Sequence, residues 1–378
     1  MNIAINLSTL KKGGGQNVAQ NFLNVFLTQN VSDDRVFYIV AKDSPLHRRL
    51  KETIVEKMII TVPQNPIKRI ICEIFQVSSI LKKLDISVIY SYFGYGFYPS
   101  SIPQIVGSAD SNLYYPEVDF WSQYSGIKLL FKKLIDRYRI WGLKRASGII
   151  FETSVLEKRC IEIYKFKALT ITIKPSISIP KANLDFEMPY EYIGKSKGLL
   201  LCSWQLNKNI MIIPEICSVL KSRKQDFLFI ITAPKDGSKI YQEFIKKVRQ
   251  YNVEQYIYIS GTVPKEKLVS LYSQVDIVFL LSKLESFSNN IIEAWAYNKP
   301  LVVSDEDWAH DICGDGALYV NRDDPNDISF NITNLLTDIN LYNQIIYEGV
   351  KKLNEYPPIE ERTKQELNFI KKVYETNV

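Results

Sequence analysis

Short apolar runs separated by polar stretches recur along the chain, at residues 3–7, 35–40, 58–62, 88–90, 104–106 and 148–151. Their apolar positions are consecutive rather than alternate, the pattern of strands buried on both faces. Between them lie longer segments of helical period, clearest at 16–27, where Val18, Phe22, Val25 and Phe26 share one side, and at 70–84. Gly13, Gly14 and Gly15 stand between the first strand and the first helix and are expected to form a turn. The rhythm restarts at 198–202 and continues through 227–232, 257–260, 277–281 and 301–304. Strands alternating with helices predict an α/β fold of right-handed βαβ units on a parallel sheet, and the restart predicts a second such sheet. The stretch 174–183 contains prolines and lacks helical period, so the domain boundary is placed there. A chain of 378 residues also exceeds what one simple core accommodates.

One segment concentrates the chemistry. The apolar run 275–281 is followed by Ser282, Glu285, Ser286, Phe287, Ser288, Asn289 and Glu293, and then Lys299-Pro300 stops a helix in which Ile291, Ile292, Ala294 and Trp295 repeat at helical spacing. Strand, polar turn and helix in that order place the turn at the carboxyl edge of a sheet. Ligands bind there in open α/β sheets, and a helix N-terminus at that edge favours anions.

Glu285 and Glu293, with Ser282 before them, Phe287 between them, Ala294 within and Lys299 to Ser304 after, resemble the E-x₇-E signature of retaining glycosyltransferases of family 4. The segment from Asp311 to Val320 resembles that family's next strand and turn. The likeness is specific over about residues 196–325 and looser over the first half of the chain. It implies the glycosyltransferase-B architecture: two Rossmann-like parallel-sheet domains facing across a cleft. The expected domains are 1–180 on the acceptor side, 181–358 for the nucleotide sugar, and a final helix in 359–378 that crosses back to the first.

Each carboxylate also has a plain reading. Asn290 and Glu293 fit a capping box, and Glu285 fits a solvated loop acid. The functional reading rests on need, since a ribose presents two hydroxyl donors that one carboxylate accepts strongly. The resemblance assigns that role to Glu293 and contact with the donor sugar to Glu285. Backbone N–H groups of Ser286, Phe287, Ser288 and Asn289 would then meet the diphosphate.

Composition narrows the alternatives. Hydrophobic residues make up 46% and charged residues 23% of the chain, an ordinary globular mixture without an apolar run of spanning length. The first residues lack a basic n-region and read as a strand rather than a signal peptide. Five scattered cysteines without C-x-x-C spacing predict buried thiols in a reducing, cytoplasmic compartment. With only His47 and His310, a histidine metal site or a Ser-His triad is not expected, so no cofactor and no metal are assigned.

Charge then separates the halves. Residues 1–190 carry 25 Lys+Arg against 16 Asp+Glu, net +9, and the remainder nets −3, giving the overall +6. A basic first half suits an anionic partner, either a phospholipid surface or a phosphate-bearing acceptor. Lys128, Lys132, Lys133, Arg137, Arg139, Lys144 and Arg145 interleave with Leu129, Leu130, Phe131, Leu134, Ile135, Tyr138 and Trp141 in one predicted helix. A core helix with a solvated face and a helix docking on the inner face of a membrane both fit. No nucleic-acid motif accompanies the charge.

Further candidates follow from position. Glycines at 13–15 would let backbone N–H groups approach a phosphate, and in the resembled family a glycine-rich first loop faces the donor phosphates. The family carries Arg and Lys after the first strand of the second domain. Lys208 matches the lysine, whereas Ser203 and Trp204 occupy the region of the arginine. Either Lys208 acts alone with the helix dipole, or another base such as Lys235 contributes, or activity is weakened or lost. Thr262 and Val263 resemble the loop whose backbone meets the base, which leaves uracil and guanine undistinguished. Relatives often read His-Asp where this chain has Ala109-Asp110, so Asp110 alone carries over, as a catalytic group or as a loop N-cap. Tyr114, Tyr115 and the aromatic run Tyr90, Tyr92, Phe93, Tyr95, Phe97 and Tyr98 fit an acceptor platform or plain packing.

The resemblance thus implies a metal-independent, retaining bacterial hexosyltransferase, using a UDP or GDP sugar and a glycan or lipid-linked acceptor in surface polysaccharide synthesis, such as O-antigen or capsule. Lys208, Glu285 and Asp110 are its expected catalytic residues. A non-catalytic partner subunit of a glycosyltransferase complex and a nucleotide-sugar epimerase of the same fold remain alternatives.

Overall fold

The computed structural model describes residues 1–10, 13–28, 35–96, 100–177, 179 and 184–377. Phe97 and Tyr98 of the aromatic run, and part of the boundary stretch, lie outside the described residues. The chain divides into two compact units: Met1–Tyr114 with Gly126–Ser176 and Pro357–Val378, and Ile177–Tyr356 with Tyr115–Ser125.

The first unit holds seven parallel strands: β1 Asn2–Asn6, β2 Arg35–Ala41, β3 Ile59–Val62, β4 Val88–Ser91, β5 Gln104–Ser108, β6 Gly148–Phe151 and β7 Leu169–Thr172. Their order is β3-β2-β1-β4-β5-β6-β7. Strands 1, 4, 5 and 6 are buried along nearly their whole length, which their consecutive apolar residues require. Leu367, Phe369, Ile370 and Val373 of the C-terminal helix Ile359–Asn377 complete this core together with Ile3, Phe22 and Tyr90.

Two local expectations change. Gly13, Gly14 and Gly15 open the helix Gly13–Thr28 rather than form a turn. First-turn amides have no acceptor within the helix, so a helix can begin on residues of poor propensity where the preceding chain sets its direction. The helical stretch predicted over 70–84 is interrupted: helix Pro66–Cys72 passes through a π-helix, Glu73–Val77, into helix Ser78–Lys83. Of the aromatic run, Tyr90 and Tyr92 are core residues, with Phe22 stacked on Tyr92 at 4.6 Å between centroids, while Phe93 and Tyr95 are half-buried.

The second unit has six parallel strands: β8 Ser196–Leu200, β9 Phe227–Ile231, β10 Ile257–Ile259, β11 Ile277–Leu280, β12 Leu301–Ser304 and β13 Leu318–Val320. Their order, β10-β9-β8-β11-β12-β13, reverses direction between β8 and β11. Gly198 in β8 permits close packing of the sheet, since a Cβ there would meet Phe279 Cε2 at 2.4 Å and Phe227 Cζ at 2.8 Å. Strand reversal opens a crevice at the carboxyl ends of β8 and β11, where a ligand meets the fewest crossing connections.

Candidate functional site

Both chain segments singled out by the sequence leave the second sheet at this reversal. Lys208 follows β8 in the 3₁₀ turn Leu206–Lys208, and Glu285 follows β11. Lys208 Nζ donates to Glu285 Oε1 in an ion pair that is mostly shielded from solvent. Glu285 is therefore not a free loop acid. The two loops are stitched together beside that pair: Asn207 Nδ2 donates to the Leu284 carbonyl at 2.8 Å, and the Lys283 N–H donates to the Asn207 carbonyl at 2.8 Å. Asn209, at φ 53°, turns the chain away, and its Nδ2 donates to the Arg322 carbonyl at 2.8 Å.

The helix Asn289–Ala296 begins at this edge with Ser288 as its N-cap residue, whose hydroxyl makes no cap bond. Its first amides are unpaired within the helix and carry the positive end of the helix dipole. Asn290 reaches out of the helix, donating from Nδ2 to the Leu201 carbonyl at 2.7 Å and so fixing the helix to the end of β8. Phe287 packs its ring on Tyr356, with centroids 5.6 Å apart.

Glu293 does not close a capping box. Its Oε2 accepts from Tyr272 Oη at 3.0 Å. Burial raises its pKa above the usual carboxylate value, while the Tyr272 hydrogen bond and Lys265 oppose that rise. A half-buried carboxylate of this kind gains from donors, and ribose hydroxyls would supply two. Tyr272 lies on the short helix Leu268–Ser273, and no motif in the sequence singles it out.

Ser203 and Trp204 occupy the region where the family resemblance implies a second cation. Trp204 is a core residue, packed on Tyr241 and Phe244, with its indole N–H donating to the Pro234 carbonyl. Arg322, after β13, is committed to Glu306 and Asp323. Thr262 and Val263 follow β10 at the same carboxyl edge, beside Gly261 at φ 81°. The Cys202 thiol, at the end of β8, is pushed by burial up to about 12, which makes it inert as a nucleophile. Among the described residues no three His, Cys, Asp or Glu side chains gather as metal ligands.

The N-terminal candidates, Gly13 to Gly15 and Asp110, belong to the first unit. Asp110 follows β5, makes no cap bond, and pairs with Arg139 Nη1 at 3.1 Å. Burial raises its pKa, and Arg139 counters that. The segment Tyr115–Ser125 joins the second unit, where Tyr115 Oη donates to Asp307 Oδ1 at 2.8 Å and Gln123 Oε1 accepts from the Leu206 N–H at 3.4 Å.

Residues 199–352, which carry all of the second-unit site, match the family described as glycosyl transferases group 1. Similar folds occur in sucrose-phosphate synthase from Thermosynechococcus elongatus, at TM-score 0.72 and 13% identity over 100% of both chains. HepE from Anabaena, solved with UDP-glucose, is similar at TM-score 0.72 and 14% identity over 98% of this chain and 100% of that one. A TarM mutant from S. aureus, solved with UDP and an α-GlcNAc-glycerol among its ligands, reaches TM-score 0.59 at 15% identity over 79% of this chain and 58% of that one. At such identities the likeness is one of fold. No curated protein matches the chain.

Proposed function

We propose that this protein, a glycosyltransferase by its group 1 domain at residues 199–352 and its two parallel-sheet units, is retaining and metal-independent and uses a nucleoside-diphosphate sugar as donor. The acceptor is a glycan or a lipid-linked glycan in the synthesis of surface polysaccharide. The observation that carries the reading is the convergence of Lys208, Glu285 and the amide end of helix Asn289–Ala296 at the β8/β11 reversal.

In this reading the departing diphosphate is stabilised by charge rather than by a nucleophile or a metal. Lys208 and the first amides of the helix point positive charge at one place, and such preorganised donors supply much of a transferase's rate. Glu293 accepts the ribose hydroxyls, and Glu285 contacts the donor sugar as Lys208 turns to the phosphates. Thr262 and Val263 meet the base through their backbone. Gly13, Gly14 and Gly15 add helix-start amides on the first unit, and Asp110 contacts donor or acceptor hydroxyls.

Trp204, buried in the region where family members carry an arginine, favours a second reading, a non-catalytic partner subunit. Thermal unfolding against UDP, GDP, ADP and their sugars separates the two. A ligand at about a hundred times its dissociation constant adds about 2.7 kcal/mol. A shift with one base, lost in Glu293→Ala, supports the donor site. A folded protein that ignores the whole panel overturns it. Product anomeric configuration by NMR, with and without EDTA, then tests retention and metal independence.

A further inference from the structure

The helix Gly126–Leu143 is built the wrong way round for a core helix. Ile127, Leu130, Phe131, Leu134, Tyr138 and Trp141 recur at spacings of three and four, so they fall within an arc of about 100° on one face. Such a stripe ordinarily faces the protein interior. Here Ile127 is 83%, Leu130 58%, Phe131 54% and Leu134 53% exposed.

The polar side is the one that is anchored. Asp136 accepts from Asn112 Nδ2 at 3.0 Å and pairs with Arg139, which also meets Asp110. Only toward its C-terminal end does the helix sink into the unit, with Gly142 against Tyr95.

A second apolar ridge accompanies it in the same unit. The π-helix Glu73–Val77 turns Glu73 inward, toward Ser8 and Arg69, and leaves Phe75 73% exposed, next to Ile71 and Ile74. Tyr138 on the helix Gly126–Leu143 lies within electrostatic reach of Glu73 and Arg69, which belong to the same helical stretch as Ile71 and Phe75.

Charge identifies the occupant. On the helical wheel Lys133 and Arg137 flank the stripe on one side and Lys128 on the other, while Lys68, Lys82 and Lys83 lie on the helices before and after the π-helix. An apolar stripe bordered on both sides by cations is the arrangement of a helix lying in the headgroup region of a bilayer. Long basic side chains there reach outward to phosphate while their stems cover apolar surface. No helix among the described residues is long and apolar enough to cross a membrane.

We infer that the ridges at Gly126–Leu143 and Ile71–Phe75 dock the protein on an anionic lipid leaflet. The inference deepens the lipid-linked acceptor reading above, and it is measured without turnover, so failure of one leaves the other standing. The experiment is co-sedimentation of the full chain with vesicles of phosphatidylcholine alone or with phosphatidylglycerol. It compares the native protein with Phe75→Ser/Phe131→Ser/Leu134→Ser and with Lys133→Glu/Arg137→Glu.

The expected result is at least tenfold stronger partition onto the anionic vesicles, weakened by high salt and lost in both variants. Because every substituted side chain is exposed, the thermal transition should stay close to that of the native protein. Equal partition onto both vesicle types, binding that survives both variants, or absence of binding overturns the inference. So does concentration-dependent dimerisation abolished by the apolar variant, which would assign the face to a second copy of the chain.

Discussion

Lys208 and Glu285, which follow two neighbouring strands at the point where the strand order reverses, neutralise one another. The cation proposed for the departing diphosphate is thus held by the acid proposed for the sugar. In the proposed site, donor binding either redistributes this pair or brings a phosphate oxygen within reach of the same ammonium, whose three donors can serve both.

Glu285→Gln therefore separates binding from turnover. Freed of its partner, Lys208 meets the diphosphate without first breaking an ion pair, so the affinity for nucleoside diphosphate alone is unchanged or tighter. Turnover falls by about 10²–10³, the usual cost of removing a group that acts at the reacting centre. Titration calorimetry with the diphosphate beside a single-turnover assay reads both. Loss of diphosphate binding in this variant contradicts the arrangement.

The proposed ribose contact of Glu293 predicts a pH limb in donor binding. Its charged form would accept both ribose hydroxyls, so affinity is expected to be full above its pKa and to drop as pH falls through it. Burial places that pKa above the ordinary carboxylate value, so the drop begins at higher pH than for an exposed glutamate. Tyr272→Phe removes a donor that favours the charged form, moving the limb further up. Dissociation constants measured across the acid range in both proteins test the order. Identical limbs in the two count against the Tyr272 contact.

Asn207 is a positioning residue between the two loops. Asn207→Ala leaves the buried Leu284 carbonyl without its donor, which costs about 1–3 kcal/mol of stability. With the loops less firmly joined, kcat is expected to fall more than the affinity for nucleotide. Denaturant unfolding gives the folded fraction, and kcat per folded molecule then distinguishes this from simple destabilisation, which leaves that value unaltered.

In the first unit Arg362, on the C-terminal helix, is buried between two buried acids. Its Nε donates to Glu366 Oε1 at 2.9 Å and its Nη1 to Glu152 Oε1 at 3.3 Å. Burial raises the pKa of both carboxyls, and the guanidinium holds them down. Arg362→Met strands the two acids and is expected to cost about 3–5 kcal/mol at neutral pH. With folded pKa values raised above their unfolded ones, the variant is most stable in acid and weakens as pH rises through them. Adding Glu152→Gln and Glu366→Gln should flatten that dependence, as thermal denaturation from acid to neutral pH would show.

The two sheets and the Glu285 loop were legible because they are local statements. Consecutive apolar residues mark a strand buried on both faces, and the strand, turn and helix around Glu285 and Glu293 are contiguous in the chain. Gly13–Gly15 misled for the same reason: glycine records backbone freedom, and whether that freedom becomes a turn or a helix start is set by residues distant in sequence. The stripe Ile127 to Trp141 has the period of a core helix, and period alone does not say which side the rest of the unit covers.

The order of apolar and polar positions by itself determined an α/β chain with two parallel sheets and a strand–turn–helix carrying Glu285 and Glu293. Tertiary structure decided what those residues touch. It paired Lys208 with Glu285 across 77 positions and turned Glu293 from a cap toward Tyr272 across 21. It also filled the missing arginine's region with a packed Trp204 and left an apolar stripe facing outward. Spacing along a chain fixes local conformation, whereas partners and burial depend on which strands become neighbours, and strand order is a property of the whole sheet.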